Sequence, residues 1–245
     1  MIIIVPDVHG RSFWKRLLKE KIDPGTTIVF LGDYIDPYPR DGVTPEDAIE
    51  GLKEVIEFAK NNSNVVLLLG NHDGQYIDLS RTVSRFSFEH SHEIFNLFYD
   101  NRDLFRLAYM EGNVVFTHAG ITRTWLNSHG LEENPENLVK YLNSFSKYIS
   151  STWIMEVNPY DLCLTDGVPI RDVGRVRGGY AASGSPIWAD IEELLAAPAF
   201  KDLGYYQICG HTQLRDTGTF IHRDNFWMVD SREIFVYDNC NIKVL

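Results

Sequence analysis

"VVLLLGNHD" occupies residues 65–73: five aliphatic residues in a row, then Gly70, an amide, an imidazole and a carboxylate. An apolar run of this length suits a short strand buried on both faces. A strand that stops on Asn71, His72 and Asp73 either closes in a polar turn or displays functional groups at its tip. The rest of the chain repeats the pattern. "IIIVP" (2–6) leads into Asp7-Val8-His9-Gly10, and "TIVFLG" (27–32) into Asp33-Tyr34-Ile35-Asp36. "NVVFT" (113–117) leads into His118-Ala119-Gly120, and "YYQICG" (205–210) into His211-Thr212. In an open α/β sheet the carboxyl ends of the strands share one edge, so groups scattered along the sequence can meet in one crevice. A single strand-end Asp or His is more often structural than functional; five in register are poorly explained that way.

Between the apolar runs lie helix-like stretches. "PEDAIEGLKEVIEFAKNN" (45–62) has Thr44 as a candidate N-cap, Pro45 at the first helical position, and Ile49, Leu52, Val55 and Ile56 at core spacing. "SFWKRLLKE" (12–20), "FEHSHEIFNLFYDNRDLFRLAY" (88–109) and "ENPENLVKYLNSFSKYISS" (133–151) also look helical. The first part of the chain is thus a β-α-β-α series. Its C-terminal part changes to short strands with tight connections: "YYQICG", "GTFIH" (218–222), "FWMVDS" (226–231) and "EIFVYD" (233–238). "TDGVPIRDVGRVRGGYAASGSP" (165–186) is rich in Gly, Ser and Arg. It reads either as a connection or as an anion-binding loop carrying Arg171, Arg175 and Arg177.

With 245 residues, 44% of them hydrophobic, the chain can fill a full core. A formal charge of −11 (34 acidic against 23 basic residues) argues against a general affinity for nucleic acid or for anionic membranes. No apolar run approaches the roughly 20 residues of a membrane span, and "MIIIVPDVHG" reads as a strand rather than a signal peptide. Cys163, Cys209 and Cys240 are odd in number and lack C-x-x-C spacing. They suit reduced thiols packed as small hydrophobes in a cytoplasmic protein.

The strand-end residues also define a chemistry. Carboxylates, neutral imidazoles and one amide oxygen, without a thiolate, favour hard to borderline cations such as manganese, iron or zinc. Two such ions need a bridging ligand, which a carboxylate supplies.

"DVHG", "GDYID", "GNHD", "THAG" and "GHT", in this order over residues 7–212, resemble the signature of the calcineurin-like metallophosphoesterases. The "THAG" block with a single-His "GHT" is similar to the phosphoprotein-phosphatase branch, bacterial type. The resemblance implies a four-layer α/β/β/α sandwich forming a single domain over 1–245. It also implies a variable helical and loop segment around 121–200 and a strand-rich C-terminus lying in the second sheet. Two divalent or trivalent metal ions are implied at the sheet edge, manganese first, with iron or zinc as alternatives. Carried over by position, Asp7 and His9 would hold the first ion, Asp33 would bridge both, and Asn71, His118 and His211 would complete the second. A hydroxide bridging the metals would be the nucleophile. His72, oriented by Asp36, would protonate the leaving oxygen. That role also has a reason of its own, since an alkoxide leaves phosphorus badly and a protonated imidazole beside a carboxylate is a fitting acid near neutral pH.

The implied activity is hydrolysis of phosphoric esters, by a serine/threonine-type protein phosphatase or a phosphomonoesterase acting on a phosphorylated protein or a small phosphoester. Dinucleoside tetraphosphate hydrolysis is the alternative within the enzyme class, and a non-catalytic binding scaffold on the same fold is the alternative outside it. A scaffold needs neither His72 nor Asp36, and the chain has both. The sequence departs from the family pattern in three places. Gln213 in "GHTQ" stands where many members have a second histidine. Pro37 stands where the branch carries an arginine, with Arg40 nearby. Asp73 replaces the usual glutamate and is expected to be a turn or supporting residue. Arg40, Arg171, Arg175 and Arg177 are the candidate phosphate-binding residues; His90, His92, His129 and His222 read as ordinary surface or core histidines.

Overall fold

The apolar runs form strands close to where the sequence puts them. The computed structural model describes residues 1–19, 22–23, 25–77, 84–146 and 169–245. In chain order the strands are β1 (Ile2–Val5), β2 (Thr27–Phe30), β3 (Val65–Leu68), β4 (Phe105–Arg106), β5 (Ala108–Glu111) and β6 (Val114–Thr117). They continue with β7 (Tyr206–Cys209), β8 (Ile221–Arg223), β9 (Phe226–Met228), β10 (Phe235–Asp238) and β11 (Asn241–Val244). The α-helices are α1 (Pro45–Asn61), α2 (Asn71–Gly74), α3 (Ser91–Asp100), α4 (Arg123–Ser128), α5 (Pro135–Ser146) and α6 (Ile191–Ala196).

Two sheets result, ordered β11-β10-β1-β2-β3-β4 and β5-β6-β7-β9-β8. β1, β2 and β3 run parallel in the first, and β6, β7 and β9 run parallel in the second. The motif-bearing strand ends therefore belong to the edges of two sheets, not to one. The C-terminal strands also divide. β7, β8 and β9 join the second sheet, whereas β10 pairs antiparallel with β1 in the first, Ile3 opposite Val236. The expectation that the whole C-terminus lies in the second sheet fails because β1 would otherwise be an unpaired edge, and the alternating apolar residues of β10 cover it.

Side-chain alternation makes the layers. Ile4, Val29, Leu31 and Leu68 point from the first sheet into a core shared with Phe116, Ile208, Trp227 and Val229 of the second. The opposite face of the first sheet, with Ile3, Val5, Ile28, Phe30 and Leu67, packs on Ile49, Leu52, Val55 and Ile56 of α1. Leu194 of α6 covers Cys209, Phe226 and Met228 on the far side of the second sheet. The outcome is an α/β/β/α sandwich. α1 begins as read: the Thr44 hydroxyl accepts from Asp47 N at 3.1 Å, Asp47 returns a bond to Thr44 N, and Pro45 stands at N1.

Three stretches differ from the sequence reading. Phe13–Lys19 is 3₁₀ rather than α, and its buried Trp14 and Leu17 sit three residues apart, the spacing that eclipses in a 3₁₀ helix. The helix expected over 88–109 ends at Asp100, because Phe105 and Arg106 instead pair in parallel with Leu67 and Leu68 of β3. In the arginine-rich stretch the described residues form 3₁₀ turns at Pro169–Arg171 and Arg175–Arg177. Residues 147–168, including the end of the third helix-like stretch and Cys163, lie outside the described residues. Cys209 is buried as expected for a core thiol, whereas Cys240 is exposed. Among the described residues no helix is long and apolar enough to cross a membrane.

Leu68 is fully buried between the sheets, two residues before the strand tip. Leu68→Ala should lower unfolding free energy by about 2–5 kcal/mol, the range for deleting a buried leucine. Urea denaturation should show a lower midpoint at an unchanged m-value.

Candidate metal centre and catalytic site

Asp33 follows β2 in a left-handed backbone conformation, φ 53°. His9, Asp36 and His211 share that rare geometry, with φ of 45°, 57° and 70°. Each such non-glycine residue costs about 1–3 kcal/mol and persists only where its surroundings over-determine it. The determinant for Asp33 is Asp73. Asp73 Oδ2 accepts from the amides of Asp33 (2.7 Å) and Gly70 (2.8 Å), and Oδ1 from the amide of Tyr34 (2.9 Å). Burial raises the Asp73 pKa and these amide donors oppose the rise. Asp73 thus supports the loop, as its place in the turn suggested. Gly70 has to be glycine, since a Cβ there would overlap the Asp33 carboxylate. The same holds for Gly210, whose Cβ would meet Asp7 Oδ1.

The imidazoles are oriented by their outer nitrogens. His9 Nδ1 bonds the Ile35 carbonyl at 2.9 Å and His118 Nδ1 bonds the Leu31 carbonyl at 2.8 Å. A carbonyl can only accept, so both Nδ1 atoms carry the proton and neutral rings present bare Nε2 atoms inward. Those two atoms face Asp33 Oδ2 from 3.4 and 3.5 Å. Beyond His118 Nε2 stand Asn71 Oδ1 at 3.2 Å and His211 Nδ1 at 3.1 Å. His211 Nε2 is buried without a hydrogen-bond partner among the described residues. The Asp7 carboxylate accepts from His211 N with both oxygens at 3.1 Å.

Two triads follow, Asp7-His9-Asp33 and Asp33-His118-His211, each offering ligand atoms within 4.8 Å of one another. Lone pairs that converge on a carboxylate with no proton between them call for cations, so this donor set fits metal ions. The titration behaviour agrees. Burial, with Asp33 adding repulsion, pushes the Asp7 carboxyl up to about 8. Burial also raises Asp33, but His118, His72, His9 and His211 together outweigh it and hold that carboxyl well below its usual range. Burial keeps His9 and His211 neutral, with Arg177 adding to the effect at His211.

Next to this centre His72 Nδ1 lies 2.7 Å from Asp36 Oδ2. Asp36 is held in turn by the Tyr76 hydroxyl (2.6 Å on Oδ1) and by the Gln75 amide, and the His72 amide donates to Asp33 Oδ1 at 2.9 Å. His72, Asn71, Asp33 and His211 line a cavity of about 570 Å³ closed by Tyr38, Arg85, Arg177 and Trp188. A larger groove of about 770 Å³ lies between Leu17, Leu18 and the end of α1 and contains neither His nor Asp.

A sequence profile of calcineurin-like phosphoesterases matches residues 1–214. The chain belongs to that family. It is accordingly a metal-dependent phosphoester hydrolase. No curated protein sequence matches it significantly. Among solved structures it is similar to a point mutant of a cold-active protein tyrosine phosphatase, at TM-score 0.61 and 16% identity over 98% of this chain and 76% of that one. It is also similar to the cold-active protein-tyrosine phosphatase of a psychrophilic Shewanella species, at TM-score 0.58 and 15% identity over 100% of this chain and 80% of that one.

Within this phosphoesterase the sequence-derived residues Asp7, His9, Asp33, Asp36, Asn71, His72, His118 and His211 all meet in one place. Of the candidate arginines, Arg177 lines the cavity, ion-paired through Nε to Asp190 at 2.6 Å and bonded through Nη2 to Thr212 at 2.8 Å. Arg40 lies against the ring of the cavity residue Tyr38 at 5.2 Å and donates to Gln213, but does not itself line the cavity. Arg171 and Arg175 do not line the cavity. Five neighbours escaped the sequence reading: Tyr38, Gln75, Tyr76, Arg85 and Trp188. Tyr38, Gln75 and Tyr76 lie two or three residues after the motifs "GDYID" and "GNHD", which is an available signal; Arg85 and Trp188 belong to no motif. The other histidines are ordinary: His90 contacts Glu46, His92 contacts Asn96, His129 pairs with Asp172 at 2.5 Å, and His222 stacks on Trp227.

Gly210→Ala should displace the Asp7 carboxylate and with it the Asp7-His9-Asp33 triad. Metal analysis should find fewer bound equivalents than in the parent protein, and an unchanged complement would show that the loop yields without moving Asp7.

Proposed function

We propose that the chain hydrolyses phosphoric monoesters at a dinuclear metal centre, as a protein phosphatase of the serine/threonine type. The observation that carries this reading is the position of Asp33 Oδ2 between the bare Nε2 atoms of His9 and His118, beside the His72–Asp36 pair. Asp7, His9 and Asp33 would hold one ion, and Asp33, Asn71, His118 and His211 the other. Manganese is the first choice, because the donors are oxygen and imidazole nitrogen without a thiolate. When bound, the ions supply positive charge for the phosphoryl oxygens and lower the pKa of water.

The chain's own residues supply orientation and the proton. Asp36 accepts from His72 Nδ1, so the ring's Nε2 is the atom that delivers a proton to the departing oxygen. Tyr76 and Gln75 hold Asp36 so that its charge stabilises the imidazolium before transfer. Arg177, anchored by Asp190 and Thr212, is positioned to contact phosphoryl oxygens on the His211 side. The "THAG" block and the single-His "GHT" support a protein phosphate ester as substrate. Phosphotyrosine joins the test panel because the two solved structures named above are described as tyrosine phosphatases.

The deciding assay compares kcat/KM for phosphoserine, phosphothreonine and phosphotyrosine peptides, dinucleoside tetraphosphate and an aryl phosphate, with manganese present. Preference for the tetraphosphate would replace the proposed substrate class, and inactivity on all of them would return the scaffold reading. Excess chelator should abolish turnover, and Asp33→Asn should be the most damaging single change at the centre, since one carboxylate serves both triads. Near-normal turnover of that variant with both metals retained would remove the bridging assignment.

His72→Ala should leave the metal content near normal and lower kcat on a phosphoserine peptide by about 10²–10⁴-fold, as expected for a lost general acid. An aryl phosphate, whose phenolate departs without much protonation, should lose far less. Equal losses on both esters, or loss of metal, would show that the imidazole has another role.

A further inference from the structure

Arg85 follows α2 in sequence and belongs to none of the strand-end motifs, yet its guanidinium lies in the catalytic cavity. Its Cζ sits 3.6 Å from the centroid of the Tyr38 ring, close enough for stacking that fixes the guanidinium plane. Nη2 is 2.8 Å from His72 Nε2. Nη1 is buried and has no hydrogen-bond partner among the described residues. Among those residues no carboxylate lies within ion-pair distance of Arg85, in contrast to Arg177 with Asp190 and Arg123 with Glu133. A partly buried guanidinium without a counter-charge among the described residues, held flat on an aromatic ring with unused donors in a cavity, is a site awaiting an anion.

The contact with His72 determines which part of the substrate that anion would be. Nε2 is the nitrogen that must reach the departing oxygen, so Arg85 lies on the leaving-group side of the cavity that Arg177 also lines. A neutral His72 whose Nε2 accepts from Arg85 has its proton on Nδ1, toward Asp36. In that arrangement Nε2 is capped.

We propose that Arg85 binds the phosphoryl oxygens on the leaving-group side, exchanging its hydrogen bond to His72 Nε2 for a bond to the incoming substrate. The phosphoryl group thereby uncaps the imidazole as it enters, and the freed Nε2 takes up, from solvent or from a protonated phosphoryl oxygen, the proton that it later gives to the departing oxygen. Arg85 and Arg177, which line the same cavity, then both contact the anion, and the Tyr38 ring keeps the Arg85 fork aligned between the two states. This inference rests on the phosphomonoesterase reading above and deepens it by naming a second phosphate-binding residue and the exchange that accompanies binding.

The test uses the metal-loaded full-length protein, with inorganic phosphate as the probe in calorimetry and steady-state kinetics on an aryl phosphate and a phosphoserine peptide. Arg85→Ala should keep the parent metal content, weaken phosphate binding by about 10–100-fold, and raise KM for both esters by a similar factor, the scale of a lost charge-assisted bond. Arg85→Lys should restore part of the affinity, since it keeps the charge but loses the fork. Lys243→Ala, an exposed change on β11 outside the cavity, should match the parent. If Arg85→Ala leaves phosphate affinity and KM unchanged and lowers only kcat on the phosphoserine peptide, Arg85 merely positions His72 and the proposal is overturned. An active parent protein indistinguishable from Arg85→Ala overturns the role of Arg85 alone. A parent that neither binds phosphate nor cleaves either ester overturns the phosphomonoesterase reading along with it.

Discussion

The Asp73 carboxylate ties three backbone amides, those of Gly70, Asp33 and Tyr34, into one point, and the arrangement of the site follows from that knot. It joins the tip of β3 to the loop after β2 and holds Asp33 in a backbone conformation that an aspartate would otherwise avoid. Three hydrogen bonds at roughly 0.5–1.5 kcal/mol each are in sum enough to offset the strain of a left-handed residue, about 1–3 kcal/mol. From Asp33 the order spreads outward. Its Oδ1 accepts from the His72 amide and so sets the start of α2, while its Oδ2 is left facing two bare imidazole nitrogens. A carboxylate two residues past Asn71 thus governs the placement of groups contributed by β1, β2, β3 and β6 without lying in the cavity itself.

The same economy of distances creates an electrostatic tension. Asp7, Asp33, Asp73 and Asp230 are all buried, and burial pushes Asp7, Asp73 and Asp230 up, with Asp33 or Asp7 adding repulsion to each. Burial disfavours the charged forms of His9 and His211, and the Asn71 amide oxygen carries no charge, so these donors do little to offset the repulsion among the carboxylates. A phosphoesterase centre of this composition is therefore organised around cations, and the surrounding hydrogen bonds fix the donors in advance of binding, so that little reorganisation is left to do. The glycines at 70 and 210 serve that end by letting the backbone approach the carboxylates.

Much of the first half of the chain was legible because its signals are local. The Thr44 capping box, Pro45 and the spacing of Ile49, Leu52, Val55 and Ile56 specify α1 without reference to anything else. The motif residues were legible for a related reason, since residue type and position after an apolar run already restrict the chemistry. Where the reading failed, the cause was a distant partner. Phe105 is a strand residue because Leu67 is beside it, and β10 belongs to the first sheet because β1 needed a neighbour. Neither pairing leaves a mark in the local sequence.

Arg85 illustrates the same division at the site. A lone arginine in "SRFSFEH" carries no pattern, and only the fold brings it onto Tyr38 and against His72. The sequence by itself determined the inventory: which carboxylates, imidazoles and amide stand at strand ends, and hence that cations and a phosphoester were the chemistry to expect. Tertiary structure decided that those ends come from two sheets rather than one, that Arg177 and not Arg175 faces the cavity, and that Arg85 joins it. Residue types and short-range spacing are written in the chain, whereas convergence depends on strand pairing and packing between residues tens or hundreds of positions apart, which no local window contains.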